Sequence, residues 1–459
     1  MSVDSQSSTL HIETSVSPPF TEKSINEEES GGQVQDNSIV CLTSDGGLDA
    51  WMTVAGTWLI QFCTYGYISA FGAYQDFYTR ILHLSFKNLC SFTPPKKSWI
   101  GSFQLFMQYA PGVLVGRAFD AGYFRYMIAA GSILQVFSMF MLSLTQRGQY
   151  YQVFLSQAVG MGLGQSLLFL PSITIIGHHF KRRRALATGI ALSGASVGGI
   201  IWPIMLNQLR DRVSFANGIR ATGALAGFFL LIANIITKSK PSMNMRTLQQ
   251  TANSIKPNFR DIFSDSAYLI SIGAAFCISL GLFFPYFYLQ LYAVEKGIAE
   301  GLTFYVVTIL NAGSFFGRLL PNFIADRIGP YNMLIPCLII SSILAFSIFG
   351  IHSFAGVVVF SFLYGFWSGS YVSLIPSLLT QLCTHPGEHG TRMGLAFTLV
   401  AIALLTGSPI EGALIKTGST EYTWPKSVIF CGIMVLFGAI LMVLSRHIFV
   451  RRKGNGSRV

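Results

Sequence analysis

GSFFGRLLPNFIADRIGP, residues Gly313–Pro330, begins inside an apolar run that starts near Leu302, carries Arg318 in its middle and leaves the apolar phase at Asp326-Arg327-Ile328-Gly329. A run of this length reads as a transmembrane helix ending near Asp326. Arg318 then lies about eight residues deeper, roughly 12 Å inside the hydrocarbon at a helical rise of about 1.5 Å per residue. A charge at that depth is costly unless it faces a cavity or a partner, so Arg318 marks a candidate functional site.

The rest of the chain has the composition this reading needs. Of 459 residues, 51% are hydrophobic, 14% aromatic and only 11% charged, against about 25% charged in an ordinary soluble domain. The net charge of +11 points away from nucleic acid, because the basic residues sit in short clusters between apolar runs, where they set topology. The lipid bilayer is the expected surrounding. Cys41, Cys63, Cys90, Cys277, Cys337, Cys383 and Cys431 are scattered, include no CxxC pair and lie mostly within apolar runs, where a thiol behaves as a small hydrophobe. His385 and His389 have the spacing of helical metal ligands, but Pro386-Gly387 between them reads as a loop. No disulfide framework, metal site or cofactor is expected.

Residues 1–44 are rich in Ser, Thr and Glu, contain Pro18-Pro19 and Glu27-Glu28-Glu29, and read as a disordered cytosolic tail. They hold no signal-peptide apolar region, so the first membrane helix does the targeting. From Trp51 onward come twelve apolar stretches of helix-spanning length, near 51–76, 99–118, 126–145, 151–178, 186–208, 218–237, 267–292, 302–325, 331–351, 354–381, 392–415 and 427–448. Between the sixth and seventh lies the long polar break Lys238–Ser266. The expected fold is an all-α membrane protein of twelve transmembrane helices in two six-helix halves, 45–237 and 267–448. A central loop, 238–266, and a cytosolic tail, 449–459, complete it. Six plus six is the pattern of transporter halves related by an axis along the membrane normal. With both termini in the cytosol, inside segments hold about 18 Lys and Arg and outside loops about 11, which favours that orientation. The four basic residues of the outside loop Arg80–Lys97 run against it.

The loop after the second stretch reads GVLVGRAFDAGYFR (Gly112–Arg125), and its counterpart after the eighth reads NFIADRIGPYN (Asn322–Asn332). Each puts an acid, Asp120 or Asp326, at the cytoplasmic end of the second helix of its half, then Gly122 or Gly329 for a tight turn, with basic residues nearby. Such an acid can cap or pair across to the neighbouring bundle in one state and release in another, as a rocking gate needs. The expected gating set is Gly116, Arg117, Asp120, Arg125, Asp326, Arg327 and Gly329.

This repeated loop resembles the signature of the major facilitator superfamily, roughly Gly-x-x-x-Asp-Arg-x-Gly-Arg. The C-terminal copy fits better than the N-terminal one, which has one residue fewer before its glycine. Asp45-Gly46-Gly47-Leu48-Asp49-Ala50-Trp51 resembles the helix-entry motif of the fungal monocarboxylate-transporter-like branch, and so does Phe180–Gly189 followed by Ser193–Gly199. The resemblance spans about residues 45–450 and implies a facilitator fold working by alternating access. The glycines of the fifth helix, Gly189, Gly194, Gly198 and Gly199, read as close helix packing; a related Gly-rich, Pro203-ended pattern also serves as an antiport fingerprint. Pro111, Pro171, Pro203, Pro285, Pro376 and Pro409 are expected to interrupt helices locally.

By the same resemblance, the first, fourth, seventh and tenth helices line the cavity. Their mid-helix polar and aromatic residues Gln61, Tyr65, Gln165, Tyr286, Trp367 and Tyr371 are the candidates, and they suit a partly aromatic, hydrogen-bonding solute. In acid-transporting animal relatives an aspartate stands one turn before the arginine; here Ser314 occupies that place. Arg318 is therefore either the cation for an anionic substrate or a residue satisfied by backbone carbonyls and Asn311. The animal mechanism of proton symport loses its support, and protons stay a candidate coupling ion.

No GxxxxGK[ST] run is present, which fits a secondary carrier. The expected function is transport of a small organic solute, a monocarboxylate-like anion, across the plasma membrane. The alternative is export of a fungal secondary metabolite, which the aromatic cavity suits better than lactate-sized acids. A non-transporting nutrient sensor is the remaining alternative, and a membrane enzyme is not expected.

Overall fold

Among the described residues all regular structure is helical, because a backbone in lipid has to satisfy its own polar groups. The computed structural model describes residues 45–69, 95–146, 149–238, 259–298, 300–383, 386–415 and 423–453, all within one compact unit, Thr43–Val459. The expected N-terminal tail, the Arg80–Lys97 loop apart from its last residues, and most of the central loop lie outside the described residues.

In chain order the main helices are α1 (Leu48–Cys63), α2 (Pro95–Tyr109), α3 (Gly112–Asp120), α4 (Phe124–Ser143), α5 (Gly162–Thr174), α6 (Arg184–Arg212) and α7 (Phe215–Ile236). They continue as α8 (Ser266–Gly281), α9 (Phe284–Glu295), α10 (Glu300–Ile328), α11 (Pro330–Ser347), α12 (Phe354–Gln381), α13 (His389–Ile415) and α14 (Trp424–Lys453). Twelve membrane passages result, since α2 with α3 forms one, α8 with α9 another, and α5 completes the passage Tyr150–His179. Among the described residues nine helical stretches are long and apolar enough to cross a membrane. The other three passages are the one begun by α1, the one broken at Pro111, and α10, which carries Arg318, Asp326 and Arg327. The fourth passage contains an eight-residue π-helix, Phe154–Met161, a widening often tied to function.

The prolines sort into two kinds. Pro111 sits at the break before α3 and Pro285 in the first turn of α9, so these interrupt their passages as expected. Pro171, Pro203, Pro376 and Pro409 lie inside continuous helices, which neighbouring helices support despite the missing donors.

The two sets of helices meet along two seams. At one, α3 packs on α13 so tightly that a Cβ added at Gly116 or Gly394 would run into the carbonyl of Gly390 or Gly112. At the other, α6 packs antiparallel on α10, with Gly189 against the Arg318 carbonyl and Gly199 against the Asn311 side chain. Gly194 and Gly198 instead meet the backbone of α1 at Trp58 and Phe62. The fifth-helix glycines are therefore packing positions on two faces of α6.

Candidate functional site

Two layers of chemistry sit on these seams, one at the face where the described chain begins and ends, the other halfway through the molecule.

At the terminal face the two acids of the repeated loop act as caps for the opposite set of helices. Asp120, the last residue of α3, accepts from the Gly390 N–H at 2.8 Å, the Thr391 N–H at 2.7 Å and the Thr391 hydroxyl at 2.7 Å. Asp326 accepts from the N–H groups of Ala185 at 2.8 Å and Leu186 at 2.9 Å. Both meet free donors in a first helical turn, at the positive end of the helix dipole. After each acid a glycine takes positive φ, +88° at Gly122 and +102° at Gly329, which turns the chain at low cost. Burial pushes the Asp120 carboxyl up to about 6, against the pull of its hydrogen bonds from Thr391 and Gly390. Asp326 is likewise raised, chiefly by burial. Of the other expected gating residues, Gly116 lies in the α3–α13 crossing, the Arg327 guanidinium stacks on Phe323 at 4.5 Å from the ring centroid, and Arg117 and Arg125 are exposed.

The same face holds an ion network, buried except for Arg452, that sequence reasoning missed. Arg392 reaches Asp265 at 3.0 Å and Glu388 at 3.1 Å, and Arg452 reaches the other Asp265 oxygen at 3.2 Å. Arg392 lies three residues after His389, the first residue of α13, so the network fixes the helix start that Asp120 caps. His389 thus opens a helix instead of lying in a loop; among the described residues no group of three or more His, Cys, Asp or Glu forms a metal site.

Halfway through, Arg318 is 2% exposed. Its Nη1 donates across the seam to the Leu192 carbonyl, while its Nε has no partner. The guanidinium carbon stands 6.0 Å from the Tyr65 ring centroid, and Tyr286, Tyr65 and Tyr109 are the titratable groups within its electrostatic reach. Tyr109 in turn packs on Phe169 and Phe397, at 5.0 and 5.3 Å between centroids, and is within reach of Tyr371. Tyr65 faces Phe169 at 6.3 Å. The Tyr286 hydroxyl shares a hydrogen bond with Ser368 at 3.3 Å. Thus Arg318, Tyr65, Tyr286 and Tyr371 come together, joined by Tyr109, Phe169 and Phe397. Those three additions lie on helices outside the expected lining or among its many phenylalanines, and nothing in their spacing sets them apart.

The other candidates have partners of their own. Gln61 donates to the Ser172 hydroxyl at 3.2 Å, and Gln165 accepts from Gln104 at 3.2 Å; each keeps one orphaned buried amide atom. Trp367 is partly buried against Phe366 at 5.0 Å. Asn311 donates to the Val307 carbonyl of its own helix at 3.0 Å and packs on Gly199, so the carbonyl that Arg318 binds is that of Leu192.

A buried cation with an unused donor, walled by aromatic rings, can hold an acidic group and stack a flat ring beside it. Comparison with known proteins identifies the family of the chain. The family model described as Major Facilitator Superfamily matches residues 57–321 and 301–458. The Aspyridones efflux protein of Emericella nidulans is 36% identical over 417 residues, covering 90% of this chain and 81% of that protein. The Agnestins efflux protein of Paecilomyces divaricatus is 36% identical over 399 residues, covering 86% and 87%. Among solved structures, the E. coli fucose:proton symporter superimposes with a TM-score of 0.64 at 16% identity, covering 85% of this chain and 98% of that one.

Proposed function

The chain belongs to the Major Facilitator Superfamily and is a multi-pass membrane transporter, and from that premise we propose that it exports a secondary metabolite bearing an acidic group and an aromatic ring. The observation that carries this reading is Arg318, buried mid-membrane with a free Nε, with the Tyr65 ring 6.0 Å away and Tyr109 and Tyr286 within its electrostatic reach. A lactate-sized acid needs the cation but not the aromatic enclosure. The names of the relatives, efflux proteins for aspyridones and for agnestins, also favour export over the monocarboxylate cargo that the branch resemblance implies.

In this mechanism the six helices within 45–237 rock against those within 267–448. Asp120 and Asp326 close the cytosolic face when they cap α13 and α6, and cargo leaves from the opposite face. Both termini lie in the cytosol and the membrane is the plasma membrane. The test compares metabolites inside and outside cells of a deletion strain and its parent. An acidic aromatic compound retained by the deletion strain supports export; a strain altered only in uptake of a small monocarboxylate overturns it.

A further inference from the structure

One buried ionisable group has no part in the gate or the cargo site. Glu411 lies on α13, about one turn before the helix ends at Ile415 on the face opposite the termini. It is 1% exposed, and its Oε1 has no hydrogen-bond partner. Among the described residues no cation forms an ion pair with it. The groups that face it are Tyr288 from α9, Tyr364 from α12 and Cys431 from α14, none of which carries positive charge. Ser427 of α14 donates to the Glu411 main-chain carbonyl at 2.8 Å. Lys426, its neighbour, is exposed. An isolated carboxylate in such surroundings costs several kcal/mol, which the group avoids by holding a proton.

The position of Glu411 ties it to the rest of the machine. Tyr288, which faces it, also donates to the Ser408 carbonyl at 2.8 Å, joining α9 to α13. Tyr286 is two residues away on the same short helix and is in reach of Arg318. That helix begins just after the break at Leu282, where Tyr364 donates to the freed Leu282 carbonyl at 2.7 Å. A change around Glu411 therefore acts on a segment already detached from α8, and that segment forms part of the wall at Arg318.

We propose that Glu411 is the proton-carrying site of this transporter, deepening the carrier reading above and resting on it. The carboxyl takes one proton from water to become a neutral acid in the enclosed state, and returns that proton to water when α9 swings from α13 at the Leu282 break as the halves rock. The charged form demands hydration, so deprotonation drives the far face open. Cargo and proton thereby share α9 without sharing a site.

The experiment needs no cargo, so its failure is distinct from failure of the export reading. Purified protein in lipid nanodiscs is examined by infrared spectroscopy for the carbonyl stretch of a protonated carboxyl at neutral pH, in wild type and Glu411→Gln. In parallel, spin labels at Tyr151→Cys and Lys426→Cys, two positions on the far face, report the opening as pH is raised. The wild type is expected to show the band and a roughly tenfold shift in the closed-to-open ratio. Glu411→Gln should lose both, and Glu411→Asp should keep them. A band that persists in Glu411→Gln, or a far-face pH response in that variant equal to wild type, overturns the proposal. If Glu411→Gln does not fold, a wild type lacking the band or the pH response overturns it equally.

Discussion

Asp120 and Thr391 are joined twice, the carboxylate accepting from both the main-chain N–H and the side-chain hydroxyl of Thr391 at 2.7 Å each. The bond crosses between the two sets of helices, and its counterpart from Asp326 to Ala185 and Leu186 crosses in the other direction. Charge-assisted bonds of this kind contribute about 1.5–3 kcal/mol each. Asp120→Ala or Asp326→Ala, which leaves these N–H donors without an acceptor, should therefore shift the closed-to-open ratio of the terminal face toward open by roughly tenfold or more. Labelling of a cysteine placed in the cavity, from the terminal side, measures it. Unchanged labelling in both variants would remove the gate role from these acids.

The same lock has a definite pH dependence. Burial raises Asp120 to about 6 from 3.8 while the terminal face is closed, with Glu388 adding to the rise, and Asp326 is raised in the same direction. In the open face these acids are solvated and return toward ordinary values. A closed-state pKa above the open-state one gives closure a contribution that is full below the open-state value. That contribution fades as pH rises through about 6. Labelling from the terminal side should accordingly speed up between mildly acidic and neutral pH, below the range in which Glu411 releases its proton and the far face opens, and Asp120→Asn should flatten the step. Labelling that slows over this interval would show the sign to be wrong.

The seams can be tested without touching any charge. Gly116 on α3 and Gly189 on α6 face carbonyls of the opposing helices with no room for a side chain. Gly116→Leu and Gly189→Leu should each cost closure about 1–3 kcal/mol through overpacking and depress transport, with the protein still in the membrane. Gly387→Ala, at a position with open space around it, is the control. Transport equal to wild type in both leucine variants would mean these crossings never close during the cycle.

The membrane class and the twelve passages were legible because apolar length is a strong signal, and most predicted stretches match the helices to within a few residues. Arg318, Asp120 and Asp326 were legible for a related reason: a charge at the wrong depth, or an acid repeated at the same place, breaks a simple pattern. Glu411 breaks the pattern of the 392–415 stretch just as Arg318 breaks its own, so the same rule applied to acids would have found it. The aromatic wall of Tyr109, Phe169 and Phe397 could not be found this way. In a chain with 38 phenylalanines its members stand out only when separate helices bring their rings together. In the Asp265–Arg392–Glu388 network the Glu388–Arg392 pair has the local spacing of four residues and could have been read, whereas Asp265 comes from a distant part of the chain and leaves no trace in local spacing.

Arg318 bears the central claim, that a buried cation beside aromatic rings holds an acidic cargo. The direct test is flux from reconstituted vesicles of the metabolite that the deletion strain retains, comparing wild type, Arg318→Lys and Arg318→Ala at equal protein content. Losing a charge-assisted contact to the cargo should lower flux by roughly tenfold or more in Arg318→Ala. Arg318→Lys should fall in between, since it keeps the charge without the planar fork. Wild-type flux through Arg318→Ala would contradict the account.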